Sequence, residues 1–388
     1  MVLAGAAVAL APVAVFAPNG TVVILLLAGA LLAFDARHRS GALDLMRSPA
    51  GKLIATVFLL AFLASLWSFD PARGAWLAAR LAVMFAAGFV ALAAAAALSP
   101  AEARVAQRGM ATGGVLLVGL MVIETTSGGG LTQFLRGMDQ VTLNRLSNGA
   151  PLARGGILLA LFLWPLLLAV RPWYGPWSLP PLLAGAAVAL WLQPTEATVL
   201  AAAAGGMVFL AARILPALSR RAGGVAVVAL LLAPPFAAAL LPAAYDAADL
   251  AAMPQPHRHR VEIWTYSLDR SLERPLFGWG FDSSRELMGT GDGAAFADAP
   301  MSLHPHNITL QAWLELGAAG VAVIAALGFA LWRSAATLGA ALAPAAFAGF
   351  AAFMVFAEIS RGAWQTWWLA ALWLFAVWIA ALRRAPPP

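Results

Sequence analysis

The 388-residue sequence has no cysteine, a single lysine (Lys52) and few charged residues of any kind. The lack of cysteine excludes a disulfide scaffold. Charged residues make up 11% of the chain and hydrophobic residues 62%, whereas soluble domains carry about 25% charged residues. This composition excludes an ordinary soluble enzyme and a disordered chain, and a lipid bilayer is the solvent that suits it.

The formal net charge is +6, but the basic residues are scattered between apolar runs. A nucleic-acid site would instead concentrate them on one face or along one helix. We therefore expect no nucleic-acid partner.

The apolar residues form twelve segments that are candidates for membrane-spanning helices. The sequence predicts an all-α polytopic membrane protein of about twelve spans, with residues 1–388 as a single integral membrane domain. The first segment lacks the basic start of a signal peptide, so it is interpreted as a span. The segments are 2–17, 19–34, 52–68, 74–98, 110–126, 151–170, 179–193, 196–214, 223–243, 308–332, 337–357 and 363–382.

The basic residues of the short connections predict the orientation, because cytoplasmic loops are enriched in arginine and lysine. They place both termini in the cytoplasm of a bacterial inner membrane. Two longer connections, 127–150 and 244–307, then lie on the outer, periplasmic face. The second separates spans 9 and 10, and its stretch 259–274 has apolar residues at helical spacing. Connections of this length are usually functional or disordered.

Four of the five histidines lie in the 244–307 loop. His306 stands where the loop re-enters the membrane, so it could accept a proton from an attacking hydroxyl or simply cap a helix. The pairs His257/His259 and His304/His306 could together supply four nitrogens to zinc, but their spacing is not a usual zinc pattern. We expect no metal and no cofactor.

Several arginines fall near the outer boundary of predicted spans. Guanidinium groups bind phosphate oxygens in pairs and keep their charge, so a cluster of them would suit a diphosphate. Any one of them could instead extend to the lipid headgroups. The residues in question are Arg145, Arg154, Arg258, Arg260 and Arg361.

Other side chains at membrane depth are interpreted in two ways. Glu124, Glu315 and Glu358 are functional candidates, because ionisable groups are costly there. Trp364, Trp367 and Trp368 are interpreted as part of an interfacial aromatic belt.

One stretch resembles a known signature. His306 and Asn307 are followed by nine residues, Gly317, two more residues and Gly320. This spacing is similar to the signature of the bacterial O-antigen ligase and polymerase superfamily. Three further stretches resemble other segments of the same family: 260–264 (RVEIW), 275–280 (PLFGWG) and 144–149 (NRLSNG).

The resemblance implies a glycosyltransferase that takes a glycan from undecaprenyl diphosphate on the periplasmic face. An O-antigen ligase would pass it to a hydroxyl of lipid A-core, without a metal. It implies His306 as the base or positioning residue and Arg145 and Arg260 as diphosphate ligands. Weaker candidates for substrate binding are His304, Asn307, Arg154, Arg258 and Arg361. Direct displacement would invert the anomeric carbon, whereas a covalent intermediate would need a carboxylate such as Asp282 or Glu262.

Two alternatives stay open. The first is a polymerase or a protein O-oligosaccharyltransferase, which shares the signature. The second is a twelve-span transporter of a lipid-linked or soluble sugar. A transporter would be expected to show internal repeats and a charged site at the bilayer midplane. The sequence shows no such repeat, and its notable charges lie at the outer boundary.

Overall fold

The structure is a computed structural model that describes residues 1–139, 150–193, 195–245, 247–289 and 303–385. Within these ranges the chain forms helices and turns and no strand, so the predicted all-α class is confirmed. The helices are α1 (Val2–Phe16), α2 (Thr21–Leu32), α3 (Ala36–Arg47), α4 (Pro49–Ala64), α5 (Pro71–Ala96), α6 (Pro100–Thr126), α7 (Gly130–Arg136), α8 (Ala150–Tyr174), α9 (Leu179–Trp191), α10 (Glu196–Ile214), α11 (Pro216–Ala244), α12 (Ala247–Ala252), α13 (Gln255–Glu273), α14 (Ser284–Gly289), α15 (Ile308–Ala336), α16 (Ala343–Ile359) and α17 (Thr366–Arg384).

Polar side chains and prolines mark where the apolar sequence is divided into helices. Asp70 accepts the N–H of Arg73 (3.0 Å) at the start of α5, and Ser99 and Glu102 cap each other's backbone at the start of α6. Both helices have proline at their first position, where the missing N–H has no helical partner in any case. These contacts satisfy N–H groups that a helix start leaves unpaired.

Eight helices of the described chain are long and apolar enough to cross a membrane, or nine if α2 and α3, bent by 118°, form one broken span. All twelve predicted segments contain a helix, so a multi-pass membrane protein is confirmed. The count of twelve spans is not confirmed. The helices α1, α2, α9 and α16 have 15, 12, 13 and 17 residues, fewer than the roughly 20 that a straight span needs.

The helix α8 lies in the middle of the bundle and packs against α1, α6, α10, α16 and α17. Its residues 157–163 are all buried. Small residues on its neighbours admit its larger side chains: Gly114 of α6 faces Leu166, and Gly205 of α10 faces the indole of Trp164. Close packing of this kind holds helices together in lipid, where the hydrophobic effect does not.

The long connection after α11 is partly helical. It forms α12, α13 and α14 before α15 begins, and α13 covers the stretch 259–274 that the sequence predicts as a helix. The helix α13 packs against α11 and α15. The other long connection contains α7, but its residues 140–149, Arg145 among them, lie outside the described residues. The assignment of both connections to the periplasmic face stays a prediction.

The helix α15 is broken at Gly317, which has φ 64° and ψ −163°. The segment 275–280, which begins with a turn, lies against the break and bonds with the backbone groups that the break releases. Trp279 and Gly280 donate their N–H groups to the carbonyls of Leu314 (2.8 Å) and Glu315 (3.0 Å). In return, Pro275 and Leu276 accept the N–H groups of Ala318 (2.8 Å) and Ala319 (3.2 Å). Unpaired backbone groups are costly in a membrane, so these bonds stabilise the broken helix.

We expect Gly317→Ala to destabilise the protein by about 1–3 kcal/mol or to prevent folding. A side chain disfavours this backbone conformation, and a Cβ would collide with the backbone of Leu276 and Phe277. Thermal unfolding in detergent, followed by size-exclusion fluorescence, measures the effect. The matched control is Gly119→Ala in α6, where a Cβ would meet nothing within 4 Å. Equal melting temperatures for the two variants would contradict this account of the break.

Candidate active site

His304 and His306 lie side by side just before α15, with ring centroids 4.4 Å apart. His306 has a left-handed backbone (φ 55°), which turns the chain into the helix. Its Nδ1 lies 2.9 Å from the carbonyl oxygen of Ser360. A carbonyl can only accept, so Nδ1 carries the proton and the lone pair of the neutral ring lies on Nε2. This is the tautomer that a general base requires.

His304 is oriented by two contacts of its own. Its Nδ1 accepts the backbone N–H of His306 (3.2 Å), so Nε2 carries the proton of the neutral ring. That Nε2 lies 2.9 Å from the side-chain amide of Gln365. The amide can accept the proton only with its oxygen turned toward the ring, and this orientation also gives the buried Gln365 oxygen a partner.

Asn307 joins the start of α15 to the end of α16. Its Oδ1 accepts the N–H of Leu310 (2.8 Å), and its Nδ2 donates to the carbonyl of Glu358 (2.8 Å). Both polar atoms therefore bond within the protein. These contacts indicate that Asn307 helps to position His306, and its predicted contact with substrate stays a prediction.

Two arginines converge on one indole ring. The guanidinium carbons of Arg154 and Arg361 lie 5.6 and 5.5 Å from the centroid of Trp367. Arg154 also donates to the side chain of Asn19 (3.2 Å). Within the described residues no carboxylate pairs with either guanidinium, and the buried Nε atom of each has no hydrogen-bond partner. The pair can therefore receive an anionic ligand.

Arg260 approaches the same place from α13. Its Nε donates to the carbonyl of Ile359 (3.3 Å), next to the Ser360 carbonyl that holds His306. Arg258 is held differently, since its guanidinium lies 3.8 Å from the carboxylate of Glu262. The structure thus brings His304, His306, Asn307, Arg154, Arg260 and Arg361 together around residues 358–367.

Burial and positive charge keep both imidazoles neutral. Burial, with His306 and Arg361 adding positive charge, lowers the pKa of His304 to about 3. Burial, with Arg260 and Arg361 adding to it, lowers the pKa of His306 to about 4. Burial and the neighbouring Arg154 lower the pKa of Arg361 to about 10, which leaves this guanidinium charged at neutral pH. At neutral pH both imidazoles are therefore uncharged, and able to accept a proton, beside the cationic guanidiniums of Arg260 and Arg361.

The buried glutamates have separate explanations. Glu124 accepts the N–H groups of Leu131 (3.0 Å) and Thr132 (3.1 Å), so it anchors the start of α7. Glu358 accepts the hydroxyl of Thr309 (3.0 Å) beside the histidines. No group of three His, Asp or Glu residues that could hold a metal occurs in the part of the chain that the structure describes.

Sequence reasoning missed Trp367 as a site residue. The belt interpretation is wrong for Trp367 and Trp368, because the protein itself buries both side chains (5% and 2% exposed). Sequence reasoning also missed Ser360 and Gln365, which orient His306 and His304. No local motif identifies these contacts, because each of them joins residues more than fifty positions apart.

The fold and these side chains define a class: a multi-pass helical membrane protein with a histidine and arginine site at one end of the bundle. Comparison with known proteins adds a similarity over part of the chain. Residues 181–325 match the family model described as O-antigen ligase. This range contains Arg258, Arg260, His304, His306 and Asn307, and it excludes Arg154 and Arg361.

Curated relatives agree with this match. A protein of Rickettsia prowazekii, provisionally named a polysaccharide ligase, is 33% identical over 132 residues. A relative from Rickettsia typhi with the same provisional name is 30% identical over 132 residues. Each alignment covers 32% of this chain and 31% of the relative, so the chain matches less than a third of their length. The resemblance to the O-antigen ligase superfamily is confirmed.

The two lowered histidine pKa values predict a pH dependence of stability. In the unfolded chain each imidazole takes up a proton near pH 6.5, whereas in the folded protein it does so only near pH 4 or 3. Between these values the unfolded state binds more protons, so we expect stability to fall as the pH is lowered from 6.5 toward 4. The measurement is the melting temperature in detergent at pH 7 and pH 5, for wild type and His304→Gln. The melting temperature of the variant should fall less between pH 7 and pH 5 than that of the wild type. Equal falls would contradict the lowered pKa of His304.

Proposed function

We propose that this protein is an O-antigen ligase, which transfers a glycan from undecaprenyl diphosphate to a hydroxyl of lipid A-core. The observation that supports it most is the pairing of a neutral His306, with its lone pair on Nε2, with arginines that lack a carboxylate partner among the described residues. The family match and the curated relatives support the same class of reaction. In this proposal the site faces the periplasm and both termini lie in the cytoplasm.

The proposed reaction is a single displacement at the anomeric carbon. His306 Nε2 accepts the proton of the acceptor hydroxyl while the oxygen of that hydroxyl forms the new bond to the anomeric carbon. The bond between the anomeric carbon and the diphosphate oxygen breaks, and the diphosphate leaves with the electron pair. Arg361, Arg154 and Arg260 balance the negative charge that develops on it, so no metal is required for this step. The configuration at the anomeric carbon inverts.

The two carboxylates that the sequence suggests for a covalent intermediate also support a single displacement. Asp282 accepts from Arg73 and Arg285, each at 3.0 Å, and Glu262 pairs with Arg258. Both acids that could have formed a covalent glycosyl intermediate are therefore engaged in ion pairs.

We expect His306→Gln to lower the rate of glycan transfer by about 10²- to 10⁴-fold, the usual contribution of a general base. The assay uses purified protein in nanodiscs with undecaprenyl-diphosphate-linked glycan and lipid A-core, in the presence of EDTA. The control His257→Gln changes an exposed histidine at the start of α13 and should keep the wild-type rate.

Each other outcome of this assay points elsewhere. A wild-type rate of glycan transfer by His306→Gln would show that His306 is not the general base. Longer lipid-linked chains without a core product would indicate a polymerase, and glycan on a protein acceptor would indicate an oligosaccharyltransferase. Flux of the donor without transfer would indicate a transporter.

We expect Arg361→Ala to lower kcat/KM for the diphosphate donor by about 10- to 100-fold, because charge-assisted hydrogen bonds to the leaving group are lost. The KM for lipid A-core, the acceptor, should stay unchanged. The control is Arg213→Ala, at the opposite end of α10 from the site, where the side chain is exposed. A rise in the KM for the acceptor alone would show that Arg361 binds the acceptor and not the donor, which would contradict this prediction.

A further inference from the structure

Three polar side chains form a column on one face of α15. Asn307, Gln311 and Glu315 follow each other at intervals of four residues, which places them one above another on a helix. All three are buried, at 2%, 3% and 0% exposure. We call them the polar column.

Each member of the column bonds with the chain that leads from α16 to α17. Asn307 donates to the carbonyl of Glu358 (2.8 Å). Gln311 accepts the N–H of Ala363 (2.8 Å), and Glu315 accepts the indole N–H of Trp364 (2.6 Å). Gln311 also donates to Glu315 (2.9 Å), which links the two lower members.

The residues held in this way carry the site. The connection 360–365 contains the Ser360 carbonyl that fixes the tautomer of His306 and the Gln365 amide that orients His304. It also contains Arg361. A shift of the connection would therefore move the base and a guanidinium together, and small misplacements of reacting groups cost large factors in rate.

We infer that Gln311 and Glu315 are positioning residues for the transfer reaction: they hold the connection 360–365 so that Arg361 and His306 face the same donor. This inference rests on the proposed function. Neither side chain contacts the histidines, so each acts through Ala363 and Trp364. Glu315 in addition accepts the N–H of Asp282 (2.9 Å), which ties the loop before α14 to the same column.

Stability alone does not explain the column. A buried carboxylate and amide in a membrane helix are costly, and apolar side chains of similar volume would fill the space without that cost. Polar bonds specify one arrangement of the connection, whereas apolar packing tolerates several.

The first test measures the position of the connection without using activity. The chain has no cysteine, so Arg361→Cys introduces a single thiol. Its rate of labelling by a charged methanethiosulfonate is compared with the rates after adding Glu315→Gln or Gln311→Leu. We expect about a tenfold faster rate in each, because lost buried hydrogen bonds let the segment open. Adding Glu124→Gln instead, which alters another fully buried carboxylate, should leave the rate unchanged.

The second test measures coupling to Arg361 in the transfer assay. We expect Glu315→Gln to lower kcat/KM for the donor about tenfold, and Glu315→Gln with Arg361→Ala to lose less than the product of the two single losses, because part of the effect of Glu315 passes through Arg361. Losses that multiply would show that Glu315 acts independently and would overturn the inference. An unchanged labelling rate would overturn it as well. If Gln311→Leu does not yield a monodisperse protein, Trp364→Phe, which removes a donor to Glu315, replaces it in the labelling test.

The two tests separate this inference from the proposed function. If wild-type protein transfers no glycan, the proposed function fails, and the labelling rates alone decide whether the column holds the connection. If transfer occurs but labelling does not respond to the column, the function stands and the inference fails.

Discussion

The break of α15 at Gly317 is the constraint on which the histidine end of the bundle depends. A helix in lipid normally satisfies its own backbone, and α15 instead shares four backbone bonds with the segment 275–280. That exchange fixes the loop after α13 against the bundle. It also leaves residues 308–316 as a separate half-helix, which His306 and Asn307 precede and whose buried face carries Gln311 and Glu315. The break therefore connects the fold to the candidate chemistry.

The electrostatics of this end follow from how its acids are used. Glu315 accepts three hydrogen bonds, Asp282 lies between Arg73 and Arg285, and Glu262 pairs with Arg258. Positive charge at Arg154 and Arg361 is left facing an indole instead. The two neighbouring guanidiniums repel each other, and the face of the Trp367 ring attracts both of them. A dianionic ligand bound between them would relieve the repulsion.

Hydropathy located all twelve helical segments, because apolar runs bounded by prolines and polar caps form helices whatever they pack against. The spacing of His306, Asn307, Gly317 and Gly320 pointed to the part of the chain that holds the two neighbouring histidines and the break of α15, but it did not predict the break itself. The count of spans was harder, since α2 ends after 12 residues and turns by 118° into α3, which sequence reasoning placed in a loop. Trp367, Gln365 and Gln311 were missed, and Asn307 and Glu315 were named without their partners, because those partners are distant in sequence. The sequence around an arginine near a span boundary also does not show where the side chain lies. It can extend to the lipid headgroups or, like Arg361, pack against a buried aromatic ring.

The boundary of the family match divides the site into two halves with different support. Residues 181–325 contain His304, His306, Arg260 and the polar column, so the proposed base lies within the part that resembles known ligases. Arg154, Arg361 and Trp367 lie outside it, and the geometry alone supports them. The polar column crosses this boundary, because it bonds residues inside the match to Ala363 and Trp364 beyond it. The proposed base and the proposed diphosphate ligands can act on one donor only if the 360–365 connection is held in register with α15, and the bonds of the polar column hold it there.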